Sequence, residues 1–229
     1  MAGIAERAKE WARRWKLAIE RVKAWGGEGS CKIGPPATHS EVDAAERRYG
    51  VRFPEAFRAI LTEFSGKVWV EWELVRDDVE RVTVLGGSVP YECQDIGRGH
   101  CSWDLSNIPW DGHQRDIKRW RLGGEHLWSG MWPLWRDNGP IVAVGTGAHR
   151  GVFVLLSPVV NLRFSEDVAD FFDALSALAC VDDPVSWTDF ARLGDVHEHY
   201  QEARFDLDGG LGRPWREWFW GDSVGARPG

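Results

Sequence analysis

The chain is 229 residues long, 43% hydrophobic and 28% charged, with a formal net charge of −7 at pH 7. That length can bury a sizeable core as one domain, or as a domain with a tail, and the sign of the charge excludes a general nucleic-acid binder. The charge is uneven: residues 1–36 hold eight basic against four acidic side chains, and residues 160–229 hold six against fourteen, an acidic zone suited to a basic partner.

Residues 3–25 predict an amphipathic helix with Trp11, Trp15, Ala18, Val22 and Trp25 on one face and Gly26-Gly27 closing it. Its glutamates and bulky indoles fit docking on a domain better than a membrane surface. The opening stretch lacks the apolar core of a signal peptide, and no apolar run reaches the ~18 residues that span a bilayer. Cys31, Cys93, Cys101 and Cys180 are scattered, with no C-x-x-C pair, and read as reduced thiols of a cytoplasmic protein. "GGEGSCKIGPPAT" reads as a linker.

Thr38-His39-Ser40-Glu41 then has the form of a capping box. Behind it Val42, Ala45 and Tyr49 sit at helical spacing, Glu46, Arg47 and Arg48 fall on the wet side, and Gly50 ends the helix. Pro54 forces Phe53 to be extended and opens a second helix carrying Phe57, Ile60, Leu61 and Phe64. The pair suggests a helix-turn-helix reader of DNA, but the second helix's polar face speaks against it, holding Glu55, Arg58, Thr62 and Glu63 and no basic stripe.

Residues 68–74 alternate strictly, so Val68, Val70, Trp72 and Leu74 face a core while Trp69, Glu71 and Glu73 face outward. Residues 79–85 predict a second strand, with Arg76-Asp77-Asp78 as the turn. The Trp-rich stretch 97–135 reads as irregular, with a short helix or turn at "IKRWRLGG". Residues 141–145 and 151–156 are continuous apolar runs, expected as strands covered on both faces, and 159–164 as a further strand. Ser165 is expected to cap a helix with Val168, Phe171, Phe172, Leu175 and Leu178 on its apolar face. The tail reads as partly helical from Ser186 to Phe205, and Pro214 starts a last helix with Trp215 and Trp218. The order predicts an α+β fold: one mostly antiparallel sheet with helices mainly on one side. Residues 1–29 form a helix and linker, 30–185 the domain, and 186–229 a Trp-rich tail docking on it.

Three stretches resemble the SUKH superfamily. They are "THSEVDAAERRYGVRFPEAFRAILTEFSG", with its helix–Gly–Pro–helix unit, "WPLWRDNGPIVAVGTGAHRGVFVLLSP", a hairpin, and "FSEDVADFFDALSAL", a closing helix. The match covers roughly residues 38–180. It departs from the family pattern at Asn138-Gly139-Pro140 and in the long stretch 97–135. Members are mostly bacterial immunity proteins that neutralise a polymorphic toxin, often a nuclease, by binding it; a fungal branch regulates cell-wall synthesis through protein contacts. The resemblance implies a protein-binding module without catalysis or cofactor.

The candidate chemistry is sparse. Asp195-x-His197-Glu198-His199 is the most metal-like cluster and would serve a metal-dependent hydrolase, but lacks the H-E-x-x-H spacing that puts two imidazoles on one helical face. Cys93, His100, Cys101 and His113 have no usual zinc spacing. No G-x-S-x-G occurs, and "GTGAHRG" lacks the ending of a phosphate loop. Two acidic groups could instead mimic phosphate to a basic partner. The favoured one is Trp69, Glu71, Glu73, Asp77 and Asp78, where a rigid strand presents an aromatic anchor beside carboxylates. The other is Asp182-Asp183 with Asp206 and Asp208.

Overall fold

Helix α1 (Ile4–Ala24) buries Trp11, Trp15, Ala18 and Val22, the stripe its spacing predicts, and leaves Trp25 half-buried just past its end. The computed structural model describes residues 3–50, 52–74, 90, 93, 96–106, 131–136, 141–145, 150–155, 161–182, 184–197 and 200–221. Strand β1 (Glu28–Ile33) follows α1 directly. Helix α2 (His39–Tyr49) starts at the predicted capping box: the Thr38 hydroxyl accepts from the Glu41 amide at 3.2 Å, and the Glu41 carboxylate accepts from the Thr38 amide at 2.7 Å. It ends at Gly50, whose φ of 65° is the left-handed cap that glycine adopts without steric cost.

The elbow into α3 (Glu55–Ala59) is held by a side chain that the helical pattern places in water. Glu46 accepts from the Phe53 amide at 2.7 Å and from Arg58 at 2.5 Å, and Arg58 also reaches Asp43 at 2.7 Å. After α3 the chain widens into a π-helical turn, Ile60–Phe64, with Phe57, Ile60 and Leu61 buried.

There are two sheets where a single one is expected. The first is antiparallel in the order β1, β2 (Lys67–Glu73), β3 (Arg98–Asp104). The second has the order β4 (Met131–Arg136), β5 (Ile141–Gly145), β6 (Gly151–Leu155), β7 (Asn161–Ser165), β9 (Gln201–Phe205), β8 (Ala191–Val196), and only β7 and β9 run parallel. The expected strand 79–85, the turn residues Asp77 and Asp78, the segment "IKRWRLGG" and Asn138-Gly139-Pro140 lie outside the described residues.

Other expectations need correction. The "linker" contains β1, hidden from pattern reading by the glycines around it and by apolar residues at only two positions. The stretch 97–135 supplies β3 and β4. The strand near 159–164 runs from 161 to 165, and Asp167, not Ser165, caps α4 (Val168–Ala177), its carboxylate accepting from the Ala169 amide at 2.7 Å. In the tail, a short helix α5 (Pro184–Asp189) gives way to the β8–β9 hairpin before α6 (Gly212–Trp220).

The class is α+β. Helix α1 packs on β1 and β2, α4 packs on β6 and β7, and the two helices pack on each other. Most of the buried apolar residues form one cluster reaching from Trp11 through Val152 to Trp215. Val142, Ala143 and Val144, like Val152, Phe153 and Val154, are buried in succession, as expected of strands covered on both faces.

The tryptophans have a shared task at the end of α4. The last carbonyls of a helix have no partner within it. Here the carbonyl of Ala177, the last residue of α4, and those of Leu178, Ala179 and Val181 in the turn that follows accept the indole N–H of Trp220, Trp215, Trp72 and Trp187 at 2.7, 3.1, 2.6 and 2.9 Å. The Cys180 carbonyl takes the His100 amide, and that of Asp182 takes Arg98 Nε. The Trp72 indole reaches its partner by crossing Gly99, where a Cβ would lie 2.2 Å from the indole nitrogen. This segment thus locks the first sheet to α4, and holds β2 and β3 rigid beneath their outer face.

Candidate functional site: the outer face of the first sheet

Alternation along β2 sends Val68, Val70 and Trp72 into the core and Lys67, Trp69, Glu71 and Glu73 outward. Register then builds the rest of the face. Trp69 stands between Lys32 on β1 and Ser102 on β3, Glu71 between Ser30 and His100, Glu73 between Glu28 and Arg98, and Lys67 opposite Asp104. Trp69 is 41% exposed, a large exposed apolar side chain on a central strand. Its indole meets the His100 ring edge-on, with centroids 4.9 Å apart, so it is oriented without being covered.

Charge is zoned around that indole. An open groove of about 790 Å³ is lined by Glu28, Glu71 and Glu73 with Lys23 and Arg98. Glu28 and Glu73 are direct cross-strand partners, an arrangement of like charges that costs stability, and Arg98 on the far side of Glu73 offsets it. On the other side of Trp69 a groove of about 680 Å³ is lined by Lys16, Lys32 and Lys67. Lys67 pairs with Asp104 at 2.5 Å; burial raises the Asp104 pKa, but its bonds to Lys67 and Ser106 outweigh that and hold it below the ordinary value.

Of the favoured group, Trp69, Glu71 and Glu73 share this face, and Asp77 and Asp78 lie outside the described residues. The second acidic group does not assemble. Asp182 is buried, Asp206 pairs with Arg192 at 2.6 Å, and Asp208 pairs with Arg216 at 3.2 Å; Asp183 is not among the described residues. Sequence reasoning misses Lys32, Arg98 and His100, because only register brings them beside β2, and Lys67, because the expected strand begins one residue after it.

The metal-like clusters fare poorly. His197 Nε2 lies 3.3 Å from Glu202, but Arg163 already binds both oxygens of that carboxylate, and Tyr200 stacks on the imidazole. Glu198, His199 and His113 lie outside the described residues. Cys101 points into the core and its neighbour His100 outward, so the two cannot share an ion. The Cys180 thiol is buried beside Cys101, and burial pushes its pKa up, which disfavours the thiolate that metal binding needs. Among the described residues no group of three or more His, Cys, Asp or Glu side chains is placed to hold a metal. His100 Nε2 and Ser102 Oγ are 2.8 Å apart, the distance of a base and its nucleophile, and Ser102 is buried.

No family model matches the chain, and no curated protein matches its sequence. No helix among the described residues is long and apolar enough to cross a membrane.

Proposed function

We propose that this protein works by stoichiometric binding of another protein, without catalysis, through the outer face of β1–β3. The observation that carries the reading is Trp69: an exposed indole on a rigid central strand, with carboxylates to one side and lysines to the other. Aromatic side chains on preorganised elements are the usual anchors of protein interfaces. The helix–Gly–Pro–helix resemblance at residues 38–66 favours a bacterial toxin as the partner, neutralised in the cytoplasm. A nuclease toxin has a basic active site, and Glu71 and Glu73 would occupy it in place of phosphate.

Co-expression with a toxin domain found encoded beside this chain tests the reading. The wild-type chain is expected to protect cells. Trp69→Ala should weaken protection through faster dissociation, and Glu71→Lys/Glu73→Lys through slower, less salt-sensitive association. A charge-reversed variant that protects at wild-type level removes this face from consideration. Capture of an endogenous partner, with no toxin gene nearby, would make the protein a scaffold instead.

A further inference from the structure

The four corners of the β2–β3 face carry alternating charge. Lys67 stands on β2 opposite Asp104 on β3, and six residues along β2, Glu73 stands opposite Arg98. The pattern is therefore positive then negative at one end, and negative then positive at the other. We infer that this face docks on the same face of a second copy of the chain. The two copies are related by a two-fold axis lying between the sheets, perpendicular to the strands, and passing between the Trp69 and Glu71 rows.

That rotation keeps each strand above its own counterpart and reverses its direction. Lys67 then meets Glu73 of the second copy, Asp104 meets Arg98, Lys32 meets Ser30, and Trp69 lies over Glu71 beside the symmetry-related indole. All four charged corners meet their opposites, as a self-complementary two-fold contact requires. The alternative axis, running along β2, sets Lys67 on Lys67 and Glu73 on Glu73, and like charges exclude it. Sheets pack about 10 Å apart, a gap that facing Lys and Glu side chains span together.

The contact is small. Three strands about 4.8 Å apart and seven rows at a rise of about 3.4 Å give a footprint of roughly 300–400 Å². Stable complexes bury about 800 Å² per partner, so the dimer is weak, salt-sensitive and displaceable by a tighter ligand on the same face. The inference goes beyond the proposed toxin and does not depend on it, because the purified chain alone tests it.

Sedimentation velocity at low salt, from low micromolar to near-millimolar protein, should show a monomer shifting towards dimer, and added salt should reverse the shift. Lys67→Glu makes both β2 corners acidic, and Glu73→Lys makes both basic, so each variant alone should self-associate at least tenfold more weakly. Mixed in equal amounts they should associate again, since each reversed charge then meets its opposite. Trp69→Ala, which leaves every charge in place, should also weaken the dimer and gives a readout if a charge variant fails to fold. A wild-type chain that stays monomeric throughout, or a mixture that associates no better than its parts, overturns the inference and leaves the proposed toxin binding untouched.

Discussion

The indole N–H of Trp72 donates to the carbonyl of Ala179 at 2.6 Å inside the core, and this bond joins the strand beneath the exposed face to the end of α4. Ala179 and its neighbour Cys180 both have positive φ, 57° and 59°, in a region that side-chain-bearing residues seldom adopt. A left-handed residue costs about 1–2 kcal/mol. The bonds accepted by the carbonyls from Ala177 to Asp182 over-determine the path, so the strain persists.

This predicts opposite tolerance to two substitutions. Ala179→Gly relieves the backbone but loses a buried methyl and gains chain entropy when unfolded, so its stability should stay within about 1 kcal/mol of wild type. Ala179→Val adds β-branching at positive φ in a packed core and should cost several times more. Urea denaturation followed by circular dichroism measures both. Equal tolerance of valine and glycine would mean that the turn is not held as described.

The Glu46 clamp gives a second prediction. Its carboxylate is nearly buried and holds both the Phe53 amide and Arg58. Glu46→Ala leaves that amide and that guanidinium without their shared acceptor, at a cost of about 2–4 kcal/mol. Asp43→Ala removes only the more exposed partner of Arg58 and should cost clearly less. If the two variants unfold at the same urea concentration, Glu46 is an ordinary surface carboxylate.

Glu46 also marks a limit of what is legible in the sequence. The capping box, the Gly50 cap and the alternation of β2 are local chemistry, legible from the order of the residues alone. Glu46 falls on the polar side of its helix by spacing, and only the fold of the Pro54 elbow back onto α2 draws it inward. β1 does alternate, with Glu28, Ser30 and Lys32 outward and Gly29, Cys31 and Ile33 inward, but two apolar side chains among glycines are too short a pattern to read as a strand; pairing with β2 makes it one. The hairpin β8–β9 is likewise set by contact, with β9 lying along β7 and most of β8 left exposed. The candidate face is half legible: Trp69, Glu71 and Glu73 follow from period-two reading, and their neighbours on β1 and β3 follow from register alone.

Acid should expose the contribution of Glu10. Its hydrogen bond to Arg13, helped by Arg14 against the opposing effect of burial, lowers its pKa from 4.5 to about 2. A group whose folded pKa is depressed contributes fully above its unfolded value and loses that contribution as pH falls through the folded one. The stability difference between wild type and Glu10→Gln should therefore be constant above about pH 5 and shrink towards zero between pH 4.5 and about 2. The pair is well exposed, so the whole difference should be under about 1 kcal/mol. A difference that grows on acidification contradicts the assignment.

Trp69 and Trp72 lie three residues apart on one strand, on opposite faces, and their substitution separates docking from folding. Trp72 is buried, stacks near Trp215 with centroids 6.3 Å apart, and bonds the Ala179 carbonyl. Trp72→Ala opens a large cavity and leaves that carbonyl unpaired, so it should cost about 3–5 kcal/mol or prevent folding. Trp72→Phe keeps most of the volume and loses the bond, and should fall between that variant and wild type. Trp69 faces outward, and its described ring contact is the edge of His100, so Trp69→Ala should cost at most about 1.5 kcal/mol. Denaturation curves followed by circular dichroism rank the three variants. The ranking decides whether the face can dock anything, because a Trp69→Ala protein as unstable as Trp72→Ala would show that the indole is holding the fold together and is not an anchor for a partner.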